Sequence, residues 1–467
     1  MRALLPSPDP LDALHDTLRE RGLDILQPFR FGATDEKHIA VLLEAAQFPS
    51  GACVLDVGCG IGACAQAMHE QRPDLVFTLL NFSEAQLADC PDGFEKIKAD
   101  AHALPFDDNS FDAVMFNAAL GNMDAQVALA EATRVLKPGG VLFLNELQKE
   151  PGICNKLEQF LHFRPVDPYD LAVFCPGIGL LQSEVAEVET VREYLREKWV
   201  ESVPYEDVFA GVRPGVWRFK KVGKTTPAAR AGRFFHRHGK VALQVSGGKD
   251  SLATLFLMLP WWERLDVFWL NPGDPVPETI DYMAFVREVV PSFREIAGRQ
   301  PEIIAADGWP SDVVPTLYTT MGQAVFGPKP FKVQDRLSCC FRSLMVPLHE
   351  VMMAEGYTLI IRGKRKDEKD KTETRTGSVV DGVEFLYPVW DWTEEEVFQY
   401  LTDNEIPLPG YYEHAGHSLD CLSCTAWWGE GLGAYLEAKH PEQHTEYVRR
   451  IHLIKQAVSE QMADCEV

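Results

Sequence analysis

The sequence predicts an α/β protein made of two doubly wound domains, each with a mainly parallel sheet, and three observations carry that prediction. At 467 residues the chain is longer than a single core usually grows. Short β-rich apolar runs alternate with amphipathic stretches twice, once from Cys53 to about Leu147 and again from Lys240 onward. In each series a glycine-rich turn follows an early strand: "DVGCGIG" (Asp56–Gly62) after "CVL", and "SGGKDS" (Ser246–Ser251) after "KVALQV".

In the first series "CVLDV", "VFTLLN", "DAVMFN" and "VLFLNEL" read as strands, with "GACAQAMHEQ", "EAQLADC" and "AQVALAEATRVLK" as helices between them. "KPGG" (Lys137–Gly140) turns the last helix into the last strand. Further on, "VETVREYLREKWV" reads as helical and "GVWRFKKV" as a strand closing the first sheet. The small and basic "GKTTPAARAGRFFHRHG" reads as a linker leading into a helix. The expected boundaries are a first domain over 1–222, a linker over 223–239 and a second domain over 240–467. There the alternation resumes with "VALQV", "SLATLFLML", "DVFWLN" and "TLIIRG".

The 45 Lys and Arg against 69 Asp and Glu give a net charge of −24, which opposes an extended grip on nucleic acid, since phosphate neutralisation supplies most of that affinity. No uncharged apolar run approaches the roughly 18–20 residues that cross a bilayer, and the amino terminus has no signal-peptide core. The eleven cysteines are spread irregularly, which speaks against a secreted disulfide framework and for a reducing cytoplasm where thiols pack or bind metal. Oligomeric state is not legible.

In the first turn, Asp56 near the strand end and Gly58, Gly60 and Gly62 suit close backbone approach to a ligand. An ordinary tight turn is the bland alternative. Three further segments, carrying four elements, follow in order: "TLLNFSEAQL", "KADAHALPFDDNSFDAVMFN" and "VLKPGGVLFLNEL". As an ordered set over residues 50–147 they resemble the class I S-adenosylmethionine-dependent methyltransferases, with their Rossmann-like fold. The resemblance implies that Asp56, Gly58, Gly60 and Gly62 shape the methionine end of the S-adenosylmethionine site, that Asn81 meets the ribose, and that Asp100 and Ala101 lie near the adenine. Asn81 departs from the acidic residue usual there and offers one acceptor and one donor group. "FNAALGNMD" stands where nucleobase methyltransferases carry an Asn-Pro-Pro-Tyr-like stretch, so the acceptor expected is a small molecule.

"SGGKDS" is not a Walker loop, which would read GxxxxGK[ST]. It resembles the PP-loop of the HUP-like adenine-nucleotide α-hydrolases, which cleave ATP between its α and β phosphates. That implies a phosphate cradle from Gly247 and Gly248 at a helix N-terminus. Ser246, Lys249 and Ser251 would donate to the phosphate, and Asp250 would help hold Mg²⁺. The pieces "VFWLNPGDPVPET", "CC", "IIRGKRKDEKDKTETR", "PVWDWTEEEVFQYL" and "CLSC" resemble, in order over 240–428, the phosphoadenylyl-sulfate reductase family. By that resemblance Arg365, Glu368 and Arg375 belong to a substrate-proximal loop; a solvated charged loop is the alternative. Cys339, Cys340, Cys421 and Cys424 form Cys-Cys-x80-Cys-x2-Cys. This pattern resembles the [4Fe–4S] ligand set of assimilatory adenylyl-sulfate reductases, with tetrahedral zinc or plain buried thiols as alternatives.

Two departures bear on function. The loop is intact where sulfonucleotide reductases carry a degenerate one, and the chain ends "ADCEV" where they carry a Glu-Cys-Gly-(Leu/Ile)-His tail. Cys465 is then either an attacking thiol or an exposed terminal cysteine, with Asp464 and Glu466 working against a low thiol pKa. "NPGD" also replaces an Asp-Thr-Gly triplet. Three readings follow. In the first, methyl transfer is joined to ATP cleavage and cluster-assisted sulfur transfer onto an adenylated acceptor, with a sulfur-donor protein as partner. In the second, an adenylyl-sulfate or phosphoadenylyl-sulfate reductase using Cys465 and a thioredoxin-like reductant is fused to a methyltransferase. The third is a nucleotide-sensing module.

Overall fold

The computed structural model describes residues 30–149, 157–158, 163–183, 190–191, 208–368 and 374–463. The chain divides into two compact units, Met1–Gly239 and Lys240–Val467.

The first unit holds a seven-stranded sheet of β1 (Cys53–Val57), β2 (Val76–Asn81), β3 (Glu95–Lys98), β4 (Phe111–Asn117), β5 (Leu136–Lys149), β6 (Leu180–Ser183) and β7 (Val212–Lys221), in the order β3-β2-β1-β4-β5-β7-β6. The first five strands run parallel, and β7 runs antiparallel to both β5 and β6. Parallel strands covered on both faces need near-continuous apolar sequence; in β1 every residue after Cys53 is buried. Helices α1 (Asp35–Ala46) and α2 (Ala63–Gln71) pack Ile39, Leu42, Ala65 and Met68 onto Val54, Phe77, Leu79 and Met115 of the sheet. Strand order reverses between β1 and β4, which opens a crevice at the carboxyl ends of these two strands. The loops at that crevice lead from β1 into α2 and from β4 into α4 (Ala125–Val135), and α3 (Glu84–Asp89) follows the neighbouring β2.

Two local expectations come out differently. Thr190–Val191, within the stretch read as helical, pairs antiparallel with Arg30–Phe31 as extended chain, in keeping with two β-branched residues in succession. The remainder of that stretch lies outside the described residues. The stretch 223–239 carries α6 (Pro227–Arg237), which follows α5 (Pro168–Gly177). Thr226 caps α6 and Pro227 opens it. Its Ala228, Ala231, Phe234 and Phe235 are buried, and Arg233 and Arg230 reach Glu131 and Asp108 of the same unit. The helix is part of the first core.

The second unit is built on β8 (Val241–Val245), β9 (Asp266–Asn271), β10 (Phe293–Ala297), β13 (Leu359–Arg362), β14 (Val379–Val380) and β15 (Val383–Leu386), in the order β10-β9-β8-β13-β15-β14, parallel except for the β14–β15 hairpin. A separate parallel pair joins β11 (Trp309–Ser311) to β12 (Val333–Asp335). In chain order the helices are α7 (Lys249–Leu257), α8 (Pro277–Val289), α9 (Gln300–Asp307), α10 (Thr320–Phe326), α11 (Arg336–Cys340), α12 (Val346–Glu355), α13 (Glu394–Asp403), α14 (Leu432–Lys439) and α15 (Pro441–Ala463). Here the order reverses between β8 and β13, and the loops leaving those strands are "SGGKDS" and "GKRK". Among the described residues no helix is long and apolar enough to cross a membrane.

Candidate active sites

At the carboxyl end of β1, Asp56 is 1% exposed and neither carboxylate oxygen has a hydrogen-bond partner. Burial pushes its pKa up from 3.8 to about 7. Gly58 follows with φ +73°, its N–H on the Leu80 carbonyl at 2.8 Å, and a Cβ there would lie 2.7 Å from the Ala119 methyl. Gly60, at φ +58°, faces open space where a Cβ would meet nothing within 4 Å. The turn is therefore tight on one side and open on the other, as a ligand cradle requires.

Asn81 ends β2. Its Nδ2 donates to the Gly60 carbonyl at 3.2 Å and to Gln86 at 2.8 Å, and its Oδ1 accepts from the Ser83 N–H. A carboxylate could not make the bond to Gly60, so the amide holds the glycine turn to the ribose-side strand. Asp100 is engaged too: Oδ1 accepts from the His102 N–H at 2.9 Å and from Nδ1 at 2.6 Å, and Oδ2 faces His236 Nε2 at 3.4 Å. Burial raises the Asp100 pKa, but the His102 bonds and the His236 charge outweigh it and leave the carboxyl below its ordinary value. Because His102 Nε2 accepts from the Asp124 N–H, the proton sits on Nδ1. Ala101 is buried beside it.

Sequence reasoning missed the supports of this crevice. Glu146, on β5 and 1% exposed, accepts from the N–H groups of Ala119 and Leu120 at 2.8 and 2.9 Å, and burial outweighs those bonds to bring its pKa to about 7. An acid inside the apolar run "VLFLNEL" was the available signal. Arg134 and Glu131 on α4 pair at 2.8 Å and together bind the Leu104 and Phe106 carbonyls and the Leu104 N–H, which shapes the loop after Ala101.

In the second unit, Gly247 (φ +86°) turns the chain from β8 into α7. Ser251 Oγ accepts from the Ser246 N–H at 3.2 Å and donates to the Gly248 carbonyl at 2.8 Å, while Ser246 Oγ accepts from the Gly248 N–H at 3.4 Å. Tyr411 donates to the Gly247 carbonyl, and Tyr412 accepts from the Lys249 N–H at 2.8 Å. Lys249 Nζ lies between Asp250 Oδ2 at 3.1 Å and Glu394 at 3.0 Å. Asp250 Oδ1 takes the Arg365 guanidinium at 2.7 Å, and Arg365 also reaches Asp367. Both Asp250 oxygens thus already face cations, so the carboxylate expected to help hold Mg²⁺ works first as the hub joining "SGGKDS" to "GKR". A Cβ on Gly363 would fall 2.3 Å from the Asp250 carbonyl, so the two loops meet backbone to backbone. Glu368 follows Arg365 in that loop, its N–H on the Arg365 carbonyl at 3.4 Å. Arg375 is exposed, in a turn closed by Ser378.

Cys339 and Cys340 end α11, directly before a π-helical turn, Phe341–Met345; such turns recur at functional sites. Cys421 and Cys424 lie on a loop before α14. Burial, then Cys424, Asp420, Cys340 and Cys339, raise the Cys421 pKa, so all four thiols share one neighbourhood. Burial first brings Cys424 and Cys339 up to about 12 and Cys340 to about 11. Among the described residues, no three of these sulfurs lie within 4.8 Å of one another. A closed tetrahedral zinc site, with Zn–S of about 2.3 Å, needs sulfurs about 3.8 Å apart. The loop is held by Asp274, which accepts from the Ser423 N–H and hydroxyl and whose carbonyl takes the Leu422 N–H. Asp312 accepts from the Trp427 and Trp428 N–H groups and pairs with Arg336. "NPGD" thus supplies the brace of the "CLSC" loop. Cys465 lies outside the described residues.

Residues 55–144 match the family model of the methyltransferase domain, and residues 240–427 that of the phosphoadenosine phosphosulfate reductase domain. The ubiquinone/menaquinone biosynthesis C-methyltransferase of Desulfotalea psychrophila is 32% identical over 197 residues, covering 40% of this chain and 76% of that one. The adenosine 5'-phosphosulfate reductase of Geobacillus kaustophilus is 27% identical over 191 residues, covering 40% of this chain and 73% of that one. Among solved structures, the [4+2]-cyclase SpnF is 20% identical, with a TM-score of 0.40, covering 47% of this chain and 97% of that one. The chain belongs to the methyltransferase family through its first unit and carries a phosphoadenosine phosphosulfate reductase domain as its second, a fusion of two enzyme domains.

Proposed function

We propose that the first unit transfers a methyl group from S-adenosylmethionine to a small-molecule acceptor, and that the second cleaves ATP at its α phosphate and uses a [4Fe–4S] cluster in moving sulfur to the adenylated product. The intact "SGGKDS" loop, with Lys249 held beside the helix N-terminus, carries the second half of the reading. When bound, S-adenosylmethionine supplies an electrophilic methyl on a cationic sulfonium. The buried, partnerless Asp56 carboxyl suits a cationic ligand group, and the open side of Gly60 suits close approach; both support a fit to this cofactor. Catalysis is then mostly positioning of the acceptor in line with the methyl. In the second unit Lys249 and Arg365 bring positive charge to the place where phosphate oxygens would lie, with Ser246 and Ser251 as hydroxyl donors. Asp250 holds both cations in place. Four thiols in one neighbourhood, spread wider than zinc requires, support a cluster on Cys339, Cys340, Cys421 and Cys424.

The test is pyrophosphate release from ATP by anaerobically purified protein, together with its iron content. Release lost in Lys249→Ala is expected; no release across an acceptor screen overturns the ATP reading. Similarity to the Geobacillus reductase favours a second reading, reduction of a preformed sulfonucleotide. Sulfite release from adenylyl sulfate, lost in Cys465→Ser, would establish that instead.

A further inference from the structure

Two thiols lie at the first glycine turn and take no part in the chemistry proposed for it. Cys59 stands between Gly58 and Gly60 in the turn itself, and Cys90 follows α3. Each Sγ is placed either to donate to the same acceptor, the Gly60 carbonyl oxygen, at 3.5 Å or to share its hydrogen with the other thiol. Cys90 Sγ also lies 3.3 Å from where a Cβ on Gly62 would be, so the pair straddles the turn from Cys59 to Gly62. Cys59 is partly exposed and Cys90 is buried.

We propose that Cys59 and Cys90 are a reversible oxidation site, closing to a disulfide that takes the glycine turn out of its cofactor-binding shape. The inference rests on the turn being the S-adenosylmethionine site. The hydrogen bond from Cys59 and the Lys96 charge hold the Cys90 thiol below its ordinary pKa, whereas Cys59 is raised by that same bond, by burial and by Asp56. The first proton of the pair thus leaves at a lower pH than an ordinary thiol's, and the second is held by the pair. The oxidant is a small-molecule disulfide. The partly exposed Cys59 sulfur, passing its proton to the Cys90 thiolate, attacks one of its sulfurs and expels the other half as a thiolate, which takes up the proton the pair had lost. Cys90 then attacks Cys59 Sγ and expels the second half. Two protein thiols are oxidised to one disulfide while one small disulfide is reduced to two thiols. An S–S bond of about 2.05 Å is shorter than any thiol–thiol hydrogen bond, so closure moves Cys59 toward Cys90. It also removes both S–H donors from the Gly60 carbonyl, leaving Asn81 as its side-chain donor.

The experiment uses the full chain, reduced and then equilibrated with oxidised glutathione. Peptide mapping for a 59–90 cross-link is set beside calorimetric binding of S-adenosylhomocysteine. The expected result is a mapped cross-link, affinity lowered at least tenfold, recovery on adding dithiothreitol, and no oxidative loss in Cys90→Ser. Absence of the cross-link, or a cross-link that leaves affinity unchanged, overturns the proposal. If the reduced protein fails to bind S-adenosylhomocysteine, it is the cofactor reading of the turn that falls, and the mapped cross-link still reports on the thiol pair by itself. Recovery with dithiothreitol in the unaltered chain keeps the test decisive should Cys90→Ser fold poorly.

Discussion

Replacing Asp56 by Asn should stabilise the ligand-free protein by an amount that grows with pH. The buried carboxyl has a pKa of about 7 against an ordinary 3.8. Folding therefore favours its protonated form, and the folded state keeps a proton that the unfolded chain has released. The sign follows: with the folded pKa raised, wild-type stability falls as pH rises from about 4 to about 7, and is level above that. Each pH unit is worth about 1.4 kcal/mol, so the shift of about 3 units amounts to about 4 kcal/mol at pH 8 and under 2 kcal/mol at pH 5. Asn carries no charge and removes that slope. Glu146, raised to about 7 by the same cause, is present in both proteins and cancels in the difference. The assay is urea unfolding of both proteins at pH 5, 6, 7 and 8, following the transition of the first unit. A gap widening by about 2 to 3 kcal/mol from pH 5 to pH 8 is expected, and S-adenosylmethionine should stabilise only the wild type. A gap independent of pH would refute the reasoning, because the carboxyl would then not titrate in this range.

Other substitutions probe single contacts. Glu146→Ala leaves the buried N–H groups of Ala119 and Leu120 without an acceptor; a loss of roughly 2 to 4 kcal/mol is expected by denaturant melt at pH 5, where the carboxyl is protonated and its removal relieves little charge-burial penalty. Arg365→Ala removes one of the two cations on Asp250. It should lower stability by roughly 3 kcal/mol and abolish nucleotide turnover, read by melting and pyrophosphate assay. Cys424→Ser should lower the iron content and visible absorption of anaerobically purified protein while leaving S-adenosylmethionine binding in calorimetry unchanged. Gly58→Ala places a methyl 2.7 Å from the Ala119 Cβ; cofactor affinity should fall at least tenfold by calorimetry.

The parallel strands were legible because strands buried on both faces must be written in continuous apolar runs: "CVLDV", "VFTLLN", "VALQV" and "DVFWLN" all lie in the sheets. Both glycine turns were legible because a strand-to-helix turn at a ligand leaves few residue choices. What stayed hidden were partnerships between residues far apart in the chain. Nothing beside Asp250 announces Arg365, 115 residues on, and nothing in "NPGD" announces the Ser423 loop it braces, 149 residues away. Asn81 read only as a ribose contact with one acceptor and one donor group, because its bond to the Gly60 carbonyl exists only once β2 lies beside β1. The composition of 223–239, rich in Ala, Gly and Arg, reads as a spacer; the small residues of α6 instead allow close packing, and its arginines find Glu131 and Asp108.

That helix decides where the two activities can be separated. A fragment ending at 222 would strip the cover from α4, deprive Glu131 of its Arg233 partner, and leave Asp100 without His236. Its failure to bind cofactor would say nothing about whether methyl transfer depends on the second unit. A fragment ending at Gly239 keeps the whole first core, so it alone makes a fair control for asking whether the fusion matters to either reaction.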